Sequence, residues 1–456
     1  MASAAEQLAA NLSFKTFSKA TELKQRIWFT LGCLLVYRLG TYIPIPGIDP
    51  EGFAQAFGRQ SGGVLGTLNA FAGGAVERMA IFALGIMPYI SASIIMQLMT
   101  SVVPTLEQLK KEGEQGRKVI NQYTRYGTVL LATVQAYAIA ASLNASPGIV
   151  TDPGGFFILS AVITLVGGTM FLMWLGEQIT ARGVGNGISL IIFAGIVAAL
   201  PSALANLFEQ GQTGQLSTGA VLLILVTVVA TLAFIVFMER ALRKILIQYP
   251  KRQIGNRMFQ GDTSSLPLKL NTAGVIPAIF ASSLLLLPAT IAGFAQPVGT
   301  GVDGETTSSL PEWAELLLAF LGPGQPGFII FYGVMIAFFA FFYTALVFNP
   351  KDTAENLKKQ GGYIPGIRPG QRTAEYIDYV LTRITVVGAA YLVIVCIIPE
   401  LYRDSAGISF VLGGTALLII VSVTLDLIQQ VQGHLLAHQY EGLVKGSKLR
   451  GGKRRR

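Results

Sequence analysis

Pro88-Tyr89-Ile90-Ser91-Ala92-Ser93 and Pro277-Ala278-Ile279-Phe280-Ala281-Ser282 fit one pattern, P-x-I-x-A-S, and decide how the chain is organised. Each lies in an apolar run long enough to cross a bilayer, which takes about 20 residues of helix. Ten such runs are expected, at 27–45, 81–100, 122–143, 155–176, 185–203, 217–239, 272–293, 327–348, 378–399 and 407–428. The two matches fall in spans 2 and 7. They are five spans apart, and because five is odd, equivalent helices cross the membrane in opposite directions, the mark of two inverted halves. The halves are placed at 1–210, holding spans 1–5, and 211–456, holding spans 6–10. The competing explanation is coincidence among residue types that are common in membrane helices.

Composition points the same way. Of 456 residues, 52% are hydrophobic and only 13% charged, against about 25% charged in a soluble domain. Such a chain needs a bilayer as solvent, which excludes a cytosolic enzyme, a nucleic-acid-binding domain and a disordered regulator. Cys33 and Cys396, both in apolar runs, form no disulfide framework or thiolate metal site and read as small core residues. No removable signal peptide is expected, and the first span itself directs insertion. Segments 1–26, 101–121, 177–184, 240–271, 349–377 and 429–456 carry 28 of the 34 Lys and Arg residues. The opposite face has Arg59, Arg78 and Arg403, and Arg38, Arg125 and Arg383 lie within spans. That bias puts both termini in the cytoplasm, so the net charge of +9 is first a topology signal.

Proline removes a backbone donor while a nearby Ser hydroxyl can satisfy a freed carbonyl, so spans 2 and 7 are expected to bend or move. Ala92, Ser93, Ala281, Ser282 and Ser283 would let the two helices meet at a seam; ordinary kinked packing is the alternative. The span charges Arg38, Arg125, Glu177, Arg383 and Asp426 sit near helix ends, leaving an apolar midplane with Ile86 and Ile90 one turn apart. A constriction of that kind can seal by dewetting and has no chemistry for selecting a small solute. The segment Val64 to Gly74 is too short to cross and too apolar for an outer loop, so it should fold back as a stopper or lie at the interface. Gly66, Gly73 and Gly74 supply hinges there.

Several motifs carry a resemblance in their order and spacing. They are Tyr42-Ile-Pro-Ile-Pro-Gly47, Ile81-Phe-Ala-Leu-Gly-Ile-Met-Pro-Tyr-Ile-Ser-Ala-Ser93, Gln122-Tyr-Thr-Arg-Tyr-Gly127, Met173-Trp-Leu-Gly-Glu-Gln-Ile-Thr180, Gly185-Asn-Gly-Ile-Ser189, Ala273-Gly-Val-Ile-Pro-Ala-Ile-Phe280 and Pro365-Gly-Ile-Arg-Pro-Gly370. Over nearly its whole length the chain resembles the bacterial SecY family of protein-conducting channels. The resemblance implies an all-α polytopic membrane protein: ten transmembrane helices in two inverted five-helix halves around a central pore, open sideways to lipid between spans 2 and 7. It implies a pore ring of Ile86, Ile90, Ile191, Ile279 and Ile419. The plug would comprise Val64, Leu65, Leu68, Asn69, Phe71, Gly73 and Gly74, and the lateral gate Pro88, Ser91, Ser93, Gln97, Asn271, Pro277 and Ser282. Motor and ribosome docking would fall on Arg243, Lys244, Lys251, Arg252, Arg257, Lys358, Lys359, Arg368 and Arg372, in the cytosolic loops 240–271 and 349–377. Implied partners are SecE-like and SecG-like small membrane subunits, the SecA motor ATPase, the ribosome with its RNA, signal-bearing precursor proteins and membrane lipid. The implied location is the bacterial cytoplasmic (inner) membrane, and no cofactor is implied.

An aliphatic gasket touches a passing chain without sequence-dependent hydrogen bonds, and a seam lets apolar segments partition into lipid. The chain carries no nucleotide-binding glycine loop, so it is not expected to be an enzyme and force must come from a partner. His434 and His438, spaced i, i+4 beyond the last span, have no metal-site companions and read as an exposed helix face. Pro365, Pro369 and the flanking glycines favour a turn over a continuing helix, which would hold Arg368 at a loop tip facing water. The competing function is an ion-coupled secondary solute transporter with inverted repeats, which would need an acidic or coordinating cluster within the membrane.

Overall fold

A computed structural model of the chain describes residues 21–50, 71–145, 148–214, 216–250, 263–295, 325–406 and 413–451, the single positions 52, 53, 57 and 69, and short strands at 252–254 and 257–259. Thr21–Gly40 (α1), Met87–Val102 (α2), Pro104–Lys111 (α3), Glu114–Ala145 (α4), Gly155–Arg182 (α5), Gly187–Gln212 (α6) and Thr218–Arg240 (α7) come first. Two antiparallel strand pairs follow, Leu242–Gln248 (β1) with Thr263–Lys269 (β4) and Arg252–Ile254 (β2) with Arg257–Phe259 (β3). Ile276–Ala295 (α8), Pro326–Val347 (α9), Pro350–Lys359 (α10), Gln371–Ala406 (α11) and Gly414–Gly451 (α12) complete the order.

Each expected span has a helix at its place. Among the described residues, seven helices are long and apolar enough to cross a membrane, and α2 with α3, bent by 98°, makes an eighth. The other two expected spans are α1, which opens with the charged residues Glu22, Lys24 and Arg26, and α8, whose side chains are described as far as Leu285. Cys33 and Cys396 are both buried, and neither is in a disulfide among the described residues.

The helices group into two compact units. Among the described residues, the first holds the chain up to Pro201 and again from Ser422, and the second holds Ser202–Ala292 and the chain from 325 to Val421. The same pairings occur inside each. In the first unit α1 packs on α5, α2 on α4 and α4 on α5. In the second α7 packs on α11, α9 on α11, and α8 meets α9 through Phe280, whose ring lies edge-on to Phe339 and Tyr343 at 5.8 and 6.2 Å.

The repeat runs deeper than its six-residue pattern. Seven residues before Pro88, Ile81 donates its N–H to Ile43 O, just past α1, at 2.9 Å; seven before Pro277, Leu270 donates to Ala241 O, just past α7, also at 2.9 Å. A Cβ on Gly168 of α5 would strike the carbonyl oxygen of Ile81, and one on Gly388 of α11 would lie 2.9 Å from that of Leu270. Gly85 and Gly274, each three residues before the proline, have φ of +57° and +64°, a region glycine occupies without steric cost. The first helical turns close alike, Ile90 N–H on Ile86 O at 3.1 Å and Ile279 N–H on Val275 O at 3.3 Å. Spans 5 and 10 match as well: a Cβ on Gly187 would strike the Gly176 carbonyl of α5, and one on Gly414 the Val395 carbonyl of α11.

These details correct the expected role of the prolines. Pro88 occupies the first turn of α2, and Pro277 is the second residue of α8, where a missing N–H costs no hydrogen bond. They start helices and do not bend them. Span 2 therefore becomes helical only at Met87, and its first part, 81–86, runs as turns. Irregular backbone inside a span is tolerated where protein covers it. Phe82, Ala83, Leu84 and Ile86 are buried, and Ala83 and Gly85 donate to Ala80 O and Phe82 O at 2.9 and 2.8 Å.

The loops at 240–271 and 349–377 are not separate loops. β1 pairs with β4 from Leu242↔Lys269 to Gln248↔Thr263, and Gln248 and Tyr363 exchange backbone hydrogen bonds of 2.9 Å. One apolar cluster, Ile245, Ile247, Leu268, Leu357, Ile364, Ile377 and Ile384, joins the hairpin, α10 and the start of α11.

Candidate functional site

The five ring isoleucines are all buried, none more than 9% exposed. Ile86 caps α2 and Ile90 follows one turn later on the same face. Ile191 lies in the first two turns of α6, as Ile279 does in α8 and Ile419 in α12. The ring positions thus all belong to the starts of two equivalent helix pairs, α2 with α8 and α6 with α12. Ile86, Ile90 and Ile191 belong to the first unit, Ile279 and Ile419 to the second.

Of the plug residues, Val64, Leu65 and Leu68 lie outside the described residues. Asn69 ties the segment together: its side-chain oxygen accepts from Glu77 N–H at 2.9 Å and its carbonyl from Gly74 N–H at 2.9 Å. Phe71 is buried, and from Ala72 to Met79 the chain runs as turns. Gly73, at φ +65°, lies where a Cβ would come within 3.0 Å of both Gly195 Cα in α6 and Tyr37 Oη. Arg38 of α1 donates through one guanidinium nitrogen to Gly73 O at 2.6 Å and through another to Tyr42 Oη at 2.9 Å. Arg78 stacks on the Tyr42 ring at 4.2 Å and reaches Gly74 O at 3.5 Å. The sequence reading missed this clamp because it used Arg38 and Arg78 only to count charge. Their position against the prevailing charge bias was the available signal.

Of the residues expected to form the seam, Pro88 and Ser91 are buried in α2 and Gln97 donates to Ser93 Oγ at 3.2 Å. In α8 Pro277 is buried, and Ser282 donates to Ile279 O at 3.0 Å. Asn271, 4% exposed, uses both amide hydrogens, one on Glu239 Oε1 at 2.7 Å and one on Gly274 O at 3.0 Å. Gln97 Oε1 and Ser283 Oγ are buried with no hydrogen-bond partner among the described residues. Ala92, expected to serve the seam, faces Gly127 of α4, where a Cβ would lie 3.5 Å away. Arg125 and Glu177 form a forked ion pair at 3.1 and 2.6 Å between α4 and α5.

The docking candidates divide by position. Arg243 and Lys244 on β1, Lys358 and Lys359 at the end of α10, and Arg368 and Arg372 around the 365–370 turn are all exposed. The shared apolar cluster beneath them mounts these residues on one support. Lys251 lies outside the described residues, and Arg252 and Arg257 are placed only as members of β2 and β3. Gly366 and Gly370, at φ +81° and +111°, shape the Arg368 turn, whose carbonyl accepts from Thr373 Oγ1 at 3.0 Å. On α3, Lys111 and Glu107 form an ion pair at 2.7 Å.

Comparison with known proteins draws these features together. The SecY family model matches residues 80–428. The chain is 54% identical over 433 residues to the protein translocase subunit SecY of Escherichia coli K12, covering 94% of this chain and 96% of that one. The chain belongs to the SecY family. The SecY of Rickettsia bellii is 51% identical over 443 residues, covering 96% of this chain and 99% of that one. A solved SecY structure described by its plug domain, which stabilises the closed state and maintains a membrane seal, matches with a TM-score of 0.65 at 17% identity, covering 90% of this chain and 92% of that one. Sec61 in the canine ribosome-channel complex matches with a TM-score of 0.57 at 17% identity over the same shares. The fold of this SecY-family chain is therefore that of the SecY and Sec61 channels, ten helices in two halves; it is mostly helical and not all-α, because the basic 240–271 segment pairs its two ends as antiparallel strands.

Proposed function

We propose that this chain is the channel subunit of a protein translocase: it moves signal-bearing polypeptides across the bacterial cytoplasmic membrane and inserts transmembrane segments into it. The observation that carries this reading is the end-to-end similarity to translocase SecY subunits, which favours a channel over an ion-coupled carrier. In the mechanism, Ile86, Ile90, Ile191, Ile279 and Ile419 form the waist. Aliphatic side chains there exclude water and ions when no substrate is present and make no sequence-specific bonds to one that is. The 64–74 segment is the plug, anchored at its end through Arg38 and Arg78. Separation of α2 from α8 opens the lateral gate, through which a segment leaves for lipid according to its hydrophobicity.

The halves of the channel are 1–210 and 211–456. Both termini are cytoplasmic, following the distribution of Lys and Arg. The exposed basic residues of the joined 240–271 and 349–377 platform suit an acidic motor surface or ribosomal RNA phosphate. SecE-like and SecG-like subunits complete the complex and SecA supplies ATP-driven force, since the chain acts as a conduit and not as an enzyme. Purified complex in liposomes should import a signal-bearing precursor only when SecA and ATP are supplied. Uptake of a small solute down an ion gradient, with no precursor import, would replace this reading with the carrier.

A further inference from the structure

Gly195 lies where α6 meets the end of the plug segment. A Cβ built on it would come 2.8 Å from Phe71 O, 3.0 Å from Tyr37 Oη and 3.3 Å from Gly73 N. Two of those neighbours are backbone atoms, which cannot swing aside as the tip of a long side chain can. The missing side chain is therefore what lets the Phe71–Gly73 turn sit this close to the helix. The contact is mutual, since a Cβ on Gly73 would come 3.0 Å from Gly195 Cα. From α1, Arg38 donates to Gly73 O at 2.6 Å, so the turn is held by α1 and α6 together, with Phe71 and Ala72 buried.

Gly195 also completes a row on its own helix. Gly187, Ile191 and Gly195 are spaced four residues apart and form one ridge of α6. At one end of the ridge a Cβ on Gly187 would strike the Gly176 carbonyl of α5, and at the other lies the Phe71–Gly73 turn. Ile191, buried, stands between them. Packed helices shift as units, so a displacement of α6 that carries Ile191 also withdraws the surface on which Gly73 rests.

We propose that Gly195 is a positioning residue for the resting seal: it is the notch that seats the Phe71–Gly73 end of the plug, and it ties that seat to Ile191 one turn away. The plug end keeps its place only while α6 keeps its own, and movement of α6 unseats the plug as it takes Ile191 out of the ring. One displacement then releases both barriers. This rests on the channel reading above, with 64–74 as the plug.

The test uses the complete complex. In planar bilayers Gly195→Ala should raise resting ion conductance several-fold, because the added methyl group presses on the Phe71 carbonyl, while precursor import into proteoliposomes is retained. Gly167→Ala on α5, where a Cβ would meet nothing within 4 Å, should leave conductance unchanged. Deleting residues 65–70 separates seating of the plug from general loosening of the channel, and in that background Gly195→Ala should add no leak. Added leak there, or parental conductance in Gly195→Ala with the plug intact, would overturn the proposal. If Gly195→Ala fails to assemble, the pair Gly73→Cys and Gly195→Cys decides, in a chain carrying Cys33→Ala and Cys396→Ala. Its oxidation should block import and a reductant should restore it; import at the parental rate with the disulfide complete would sink the idea. Absence of import by the parent would instead remove the channel reading, and unchanged leak on deleting 65–70 would remove the plug, each taking this proposal with it.

Discussion

Arg38 shows how a single side chain can contradict the rule by which it was first counted. A basic residue at this end of span 1 opposes the charge bias of the chain, yet its fork joins Gly73 O and Tyr42 Oη while Arg78 covers the other face of the same clamp. Hydrogen bonds to a charged group are worth about 1.5–3 kcal/mol. Arg38→Ala should therefore loosen the end of the plug and raise resting ion conductance in planar bilayers, with Arg38→Lys intermediate because an ammonium cannot reproduce the fork. Unchanged conductance in Arg38→Ala would leave the arginine a purely local brace. Arg368 belongs to the same scale. It is exposed on a turn shaped by Gly366 and Gly370, and its guanidinium makes no hydrogen bond or ion pair among the described residues. Arg368→Glu should preserve assembly and topology but cut SecA-driven import at least about tenfold, and Arg368→Lys should fall between, since only Arg offers a planar fork. Import at the parental rate by an assembled Arg368→Glu complex would return the residue to topology alone.

Among elements, the paired helices α2 and α8 are informative because two glycines on other helices set where they begin. Gly168 and Gly388 admit the carbonyls of Ile81 and Leu270 at equivalent points, and the fit is tighter at Gly168. Added volume in a packed core costs about 1–3 kcal/mol. Gly168→Ala should therefore destabilise the purified complex more than Gly388→Ala, read as the order of their thermal inactivation temperatures in detergent. The reverse order would mean that the two approaches are not equivalent in energy even though they are equivalent in geometry. The β1–β4 hairpin teaches a related lesson. Its inward Ile245 and Ile247 find their apolar partners on α10 and α11, across more than 100 residues of chain, so the hairpin and the 349–377 segment stand or fall together.

For the whole molecule, the proposed ring draws Ile86, Ile90 and Ile191 from the first unit and Ile279 and Ile419 from the second. Its sealing capacity should therefore be collective. Changing Ile90 and Ile279 together to Asn should raise ion leak well above either single change, since one polar residue among aliphatic neighbours leaves most of the dewetted surface intact. Single-channel recording of the two singles and the double checks this. Strictly additive or unchanged leak would place the seal elsewhere, with the plug as the first alternative.

Class, span count and duplication were legible in the residues because each depends on local chemistry. A run of apolar residues is a span wherever it occurs, and P-x-I-x-A-S at 88–93 and 277–282 declares a repeat without any contact being known. The turn around Arg368 was legible for the same reason, whereas the proposed ring of isoleucines came from the family resemblance. What lay beyond reach were the long-range partners. Arg38 meets a carbonyl 35 residues away, and Arg125 meets a carboxylate 52 away. Asn271 meets Glu239 across the whole hairpin. Even Pro88, correctly singled out, was assigned the wrong work, because whether a proline breaks a helix or begins one depends on where the first hydrogen-bonded turn closes. That point is set by Gly168 and Ile43 on neighbouring segments. Sequence alone determined which segments enter the membrane, since transfer free energy accrues residue by residue. Tertiary structure alone decided where α2 and α8 start and what holds them there, since each of those contacts exists only once distant helices have packed.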